Sequence, residues 1–135
     1  MAAFDPTRFR WPVPWQPLTD EAEALAFGRW VNPNVATTVL GELRREVCDR
    51  HPLAGVACRP VAWGSWSKKD FLFLTARPDM PVALVHFTWA VERKPDWPFV
   101  VPYPSLREFV RRERCWVGEV RVRVQRWWAA LARGW

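Results

Sequence analysis

The sequence predicts an α+β domain: a small antiparallel sheet of three or four strands packed with helices, closed by a basic, Trp/Arg-rich C-terminal helix. Three observations predict it. Helix-start signals precede two stretches before residue 50. From Val56 to Val101 the sequence shifts to short β-rich runs separated by turn residues. Beyond Ser105 apolar residues return to helical spacing.

At 135 residues the chain is one domain, 1–135, since two independent units would each lack a core. Half the residues are apolar and a quarter charged, a globular balance that excludes wholesale disorder. Eleven Trp supply large apolar area, and 13 Pro break the chain into short elements. Three cysteines, Cys48, Cys58 and Cys115, are too few and too irregular for a disulfide framework, which points to a reducing compartment. Met1 to Trp15 contains charges and prolines but no apolar run, so it is no secretory signal. Uncharged stretches such as Met80–Val91 reach 12 residues, well short of a membrane span. A soluble, cytoplasmic protein with no membrane partner is expected.

The N-terminal residues 1–18 form a Pro/Trp-rich arm, with Phe9, Trp11, Val13 and Trp15 laid on the domain. Asp20 and Glu23 make a capping box for a short helix ending near Gly28. Asn32-Pro33 is the next start signal. Val35, Val39, Leu43 and Val47 recur every four residues, predicting an amphipathic helix stopped by His51-Pro52. Val56–Trp63 is a weak strand broken by Pro60, and Gly64–Lys69 a turn. Phe71–Thr75 and Pro81–Val91 are strands paired as a hairpin, the longer apolar on both faces and therefore central. Glu92–Pro104 is a proline-broken loop or edge strand, and Ser105 caps a following helix. Val120–Val124 alternates like a strand, but Trp116, Val120, Val124, Trp127 or Trp128 and Leu131 share one helical face; the longer match predicts helix.

Six short motifs stand in order along the middle of the chain: Glu42-Leu43-Arg44-Arg45-Glu46-Val47, His51-Pro52-Leu53, Asp70-Phe71-Leu72-Phe73, Leu84-Val85-His86-Phe87-Thr88-Trp89, Trp97-Pro98 and Tyr103-Pro104-Ser105. Together they resemble a family of small bacterial proteins of unknown function. The resemblance spans roughly residues 40–110, with Lys69 where that family carries an acidic residue. It implies a shared fold unit and no activity, cofactor or partner. The segment 111–135 lies outside it.

Chemistry-bearing candidates are sparse. His86, mid-strand beside Thr88, is either a general base acting with Asp70 or a core histidine bonded to Thr88 or backbone. His51 is placed to cap carbonyls of the preceding turn. Cys48-x-x-His51 offers two metal ligands where three or four are needed, so no metal and no cofactor are expected. Cys115 sits among arginines that favour a thiolate, without a paired base. Glycine-rich phosphate loops are absent.

Charge is uneven. Residues 1–106 carry 12 basic and 11 acidic side chains, whereas 107–135 carry eight Arg and three Glu. Three functions follow as expectations. The first is a non-catalytic intracellular protein-interaction domain, such as an immunity or accessory factor, given abundant Trp and Arg and no catalytic signature. The second is nucleic-acid binding, with Arg121, Arg123 and Arg126 on phosphates and Trp127 and Trp128 stacking on bases. The third is an enzyme using His86 and Asp70. If the tryptophans instead close the core, the arginines face water and the segment is structural.

Overall fold

The computed structural model describes residues 3–115. Among them, a five-stranded antiparallel sheet in chain order is flanked by three helices. The strands are β1 (Trp15–Pro17), β2 (Cys58–Gly64), β3 (Asp70–Thr75), β4 (Val82–His86) and β5 (Phe99–Tyr103). The helices are α1 (Glu21–Val31), α2 (Val39–Glu46) and α3 (Leu106–Cys115). The α+β class holds, and the sheet has five strands where three or four were expected: β1 comes from the segment expected to be an arm, and β5 realises the edge-strand alternative for Glu92–Pro104. Pro17 and Pro102 lie on the two edge strands, where a missing N–H interrupts no central ladder.

Strand alternation divides the core into two layers. Trp63, Phe71, Phe73, Ala83 and Val85 face one way and pack with Leu25 of α1 and Val39 and Leu43 of α2. Val61, Leu72, Val82, Leu84 and Tyr103 face the other way and pack with Phe109 of α3, with Phe4 and Trp11 of the arm alongside. Phe71, Phe73, Phe87 and Phe109 are fully enclosed. Each such side chain stabilises the fold by about 1.5–3 kcal/mol relative to an exposed position. The central place of β4 follows from its two apolar faces, and Leu72 pairs with Leu84 as Phe71 does with Val85. Pro60 is accommodated by a register irregularity between Pro60 and Ala62 rather than by breaking β2.

The first helix stops, and the second starts and stops, at residues other than the sequence signals. Asp20 caps α1 as predicted, accepting from Glu23 N at 3.1 Å. The helix then continues through Gly28 to Val31. Gly28 lies under the Trp89 ring, so its lack of a side chain serves packing, not termination. Asn32 terminates α1, its N–H bonded to Gly28 O at 2.7 Å, instead of starting the next helix. Thr38 caps α2, accepting from Gly41 N at 2.9 Å. That helix ends at Glu46, before His51-Pro52, because Val47 turns extended.

Strand β4 ends at His86, five residues short of the predicted Val91. Phe87 N still reaches Lys69 O at 2.9 Å, and the next residues then leave the sheet toward α2. Trp89 adopts a left-handed backbone, φ 63°, and its ring is almost wholly buried. Ser105 caps α3 as predicted, accepting from Glu108 N at 3.0 Å. The predicted C-terminal helix beyond Cys115 lies outside the described residues.

A Cβ added at Gly28 would stand 2.3 Å from the Trp89 ring. Gly28→Ala is therefore expected to destabilise the protein by about 1–2 kcal/mol in urea unfolding, despite alanine's better helix propensity. An unchanged or raised midpoint would show that the ring can move aside.

Candidate functional site

The most elaborate polar constellation was not foreseen. Residues buried on α2 are Val39, Glu42, Leu43 and Glu46, so two glutamates four residues apart share the core-facing stripe that the valine and leucine spacing had defined. Both glutamates have 0% exposure. Glu46 accepts at Oε1 from Thr88 N (2.8 Å) and Thr88 Oγ1 (3.1 Å), and at Oε2 from Trp89 N (3.1 Å). Glu42 accepts from Ala36 N at 3.0 Å and takes a forked pair from Arg45, Nε at 2.7 Å and an NH2 group at 2.9 Å. Trp89 O receives Asn32 Nδ2 at 2.8 Å and Arg45 at 3.1 Å. The signal for this joint was present in the Glu42/Glu46 spacing, but carboxylates are read by default as solvated.

The two carboxyls are hydrogen-bonded to each other and titrate as a pair. Burial, reinforced by the bond to Glu42, raises the Glu46 pKa far above the carboxylate range. Burial also opposes ionisation of Glu42, but its bonds from Glu46 and Arg45 outweigh that and hold its pKa low. The pair thus keeps one proton, on Glu46, against a charge on Glu42 compensated by Arg45. Fully enclosed, it fastens α2 to the chain leaving β4.

Asp70 and His86, nominated from sequence, are brought together. They face each other across β3 and β4 in register, with His86 Nδ1 to Asp70 Oδ1 at 2.8 Å. The histidine's bonded partner is thus Asp70, whereas the Thr88 hydroxyl goes to Glu46. The Asp70 carboxyl on Nδ1 fixes the orientation of the ring. Three described cavities lie around His51 and Trp97, beside Arg44 and Leu53, and between Arg10 and α3; neither member of the pair lines any of them.

His51 caps no carbonyl of its own helix. Its Nδ1 accepts from Leu53 N at 3.0 Å, so the proton is on Nε2, which donates to Pro98 O at 2.8 Å. Burial lowers its pKa, against the opposing effect of the Pro98 bond. With both nitrogens engaged by backbone, His51 has no lone pair for a metal shared with Cys48. Among the described residues, no group of three or more His, Cys, Asp or Glu is placed to hold a metal ion.

Arg121, Arg123, Arg126, Trp127 and Trp128 lie outside the described residues, as does any base-stacking role for them. No helix among the described residues is long and apolar enough to cross a membrane. At the surface, Trp30 is 83% exposed, Val91 63% and Val31 49%. The Asn32–Trp89 bond draws the end of α1 and the chain after β4 together, which puts these three around one joint. The Trp30 ring stacks at 33° on Phe27, whose face lies 6.0 Å from Lys69 Nζ. No family model, no curated protein and no solved structure matches the chain.

Unfolded, both glutamates titrate near 4.5. Below that value the unfolded chain binds more protons than the folded pair, so the pair's contribution to stability rises with pH. Above it the folded pair holds the extra proton, and the contribution falls as pH climbs toward the raised Glu46 pKa. Glu46→Gln is expected to remove that alkaline-side fall and stay within about 1 kcal/mol of the parent near neutrality, whereas Glu46→Ala costs about 3 kcal/mol by stranding Glu42 and two amides. Equal losses in the two variants, measured by denaturant titration across pH, would contradict a neutral Glu46. For His51, the stability carried by the neutral ring is complete above its ordinary 6.5 and lost as pH falls through the lower folded value. Between pH 6.5 and that lower value the parent should therefore lose stability faster than His51→Gln; parallel curves would refute the role.

Proposed function

We propose that the chain is a non-catalytic binding domain that docks another protein through the patch formed by Trp30, Val31 and Val91. The observation that carries this is Trp30, held on an ordered helix yet 83% exposed. A tryptophan costs most to leave in water and gains most when a partner encloses it. Phe27, against the Trp30 ring, and the adjoining Val31 extend the apolar area, Val91 follows the Trp89 that Asn32 holds beside the end of α1, and Lys69 against Phe27 adds a cation. The fitting partner presents an apolar pocket bordered by acidic residues.

Support also comes from the polar groups. Glu42, Glu46 and His51 direct their bonds inward to backbone and to Arg45, joining elements of the scaffold. Such residues hold a shape and leave recognition to the surface.

The test is affinity capture from host lysate with the parent and with Trp30→Ser/Val91→Ser, both exposed positions expected to change stability by no more than about 0.5 kcal/mol. A partner held by the parent should be retained about 30-fold less well by the variant, the ~2 kcal/mol of an interface hot spot. Equal retention by both, or no protein held by the parent, would remove the proposal.

A further inference from the structure

On the opposite side of the sheet, the N-terminal arm and α3 enclose a groove of about 630 Å³. Its lining includes Phe9 and Arg10 from the arm and Arg107, Val110, Arg111 and Arg114 from the helix. Arg107, Arg111 and Arg114 are spaced four and three residues apart, so they form one stripe along α3. At 1.5 Å rise per residue the stripe is about 10 Å long. All four arginines are exposed. The groove also contains Glu108, whose carboxylate is clamped by Arg111 and Arg112 and whose pKa is lowered to about 2 by those bonds, that from Arg111 first. Arg10, Arg107 and Arg114 pair with no acidic side chain among the described residues, and three guanidinium groups therefore face the groove uncompensated.

We propose that this groove binds the sugar-phosphate backbone of a single-stranded nucleic acid. A row of like charges along a helix is unfavourable for the protein alone and becomes favourable when a ligand carries a matching row of anions. Phosphodiesters repeat along a chain and accept forked bonds from guanidinium groups. An acidic peptide also supplies negative charge, but the groove is lined by a half-buried aromatic ring: Phe9, tilted at 59° against Trp11 with ring centroids 4.5 Å apart. Phosphate contacts beside an aromatic platform are what single strands use, and every base has a face to stack. The site is separate from the Trp30 patch and lies on the other side of the sheet, so one chain can hold a protein and a nucleic acid together.

The experiment is fluorescence anisotropy of a labelled oligothymidylate of about a dozen nucleotides with the full-length chain, between about 50 and 200 mM salt. Binding is expected at low salt, weakened by about tenfold in Arg107→Gln/Arg114→Gln, with the slope of log affinity against log salt reduced by about 0.7 for each phosphate left without its arginine. Arg44→Gln/Arg50→Gln removes equal charge at exposed positions away from the groove and is expected to leave affinity within about twofold of the parent. Four results would overturn the proposal: no binding at low salt; equal weakening by both double variants; polyglutamate of matched charge bound as tightly as the oligonucleotide; or binding lost only on replacing Arg121, Arg123 and Arg126, which would move the site out of the groove.

Discussion

The fold depends on the capture of two backbone amides by one buried carboxyl. After β4 the chain must leave the sheet, and each residue that leaves has a donor with no ladder partner. Glu46 accepts the N–H groups of Thr88 and Trp89 as well as the Thr88 hydroxyl, and so turns the end of a strand into a joint with α2. A charge there would be too costly to bury. Glu42 resolves this by carrying the charge itself under Arg45, while Glu46 stays neutral. With the backbone fixed, Trp89 swings into the left-handed region and its ring drops onto Gly28 of α1. Both helices on that face are thereby referenced to one point in the sheet.

The same logic recurs at the other motifs. The Glu42–Val47 stretch bonds the stretch ending in Trp89, His51 bonds Pro98 of the Trp-Pro loop, and Asp70 bonds His86. Each of the six short motifs thus meets another, apart from Tyr103-Pro104-Ser105, which ends β5 and caps α3. The motifs are thus joints between elements distant in sequence. Joints of this kind specify a scaffold without specifying what it holds.

Recognition is then left to surfaces the joints do not use. The two helical layers differ in character: the side bearing α1 presents an apolar aromatic patch, and the side bearing α3 a cationic groove. The five-stranded sheet lies between these two surfaces. Among the described residues, the fold brings the sequence-nominated Asp70 and His86 together, with His86 Nδ1 bonded to the Asp70 carboxyl.

Sequence by itself determined the elements whose causes are local. The Asp20 and Ser105 caps, the turns after Gly64 and after Arg77, and the central place of β4 each follow from residues within a few positions of one another or from strand alternation. Tertiary structure decided the rest. Whether Gly28 ends a helix or passes under a ring depends on Trp89, 61 residues further along the chain. Whether Glu42 and Glu46 face water or the core depends on donors arriving from Thr88, Trp89 and Ala36. Periodicity reports which side of a helix is buried only when buried residues are apolar. A polar side chain enters the core when distant parts of the chain satisfy it, and spacing along the sequence carries no record of that meeting.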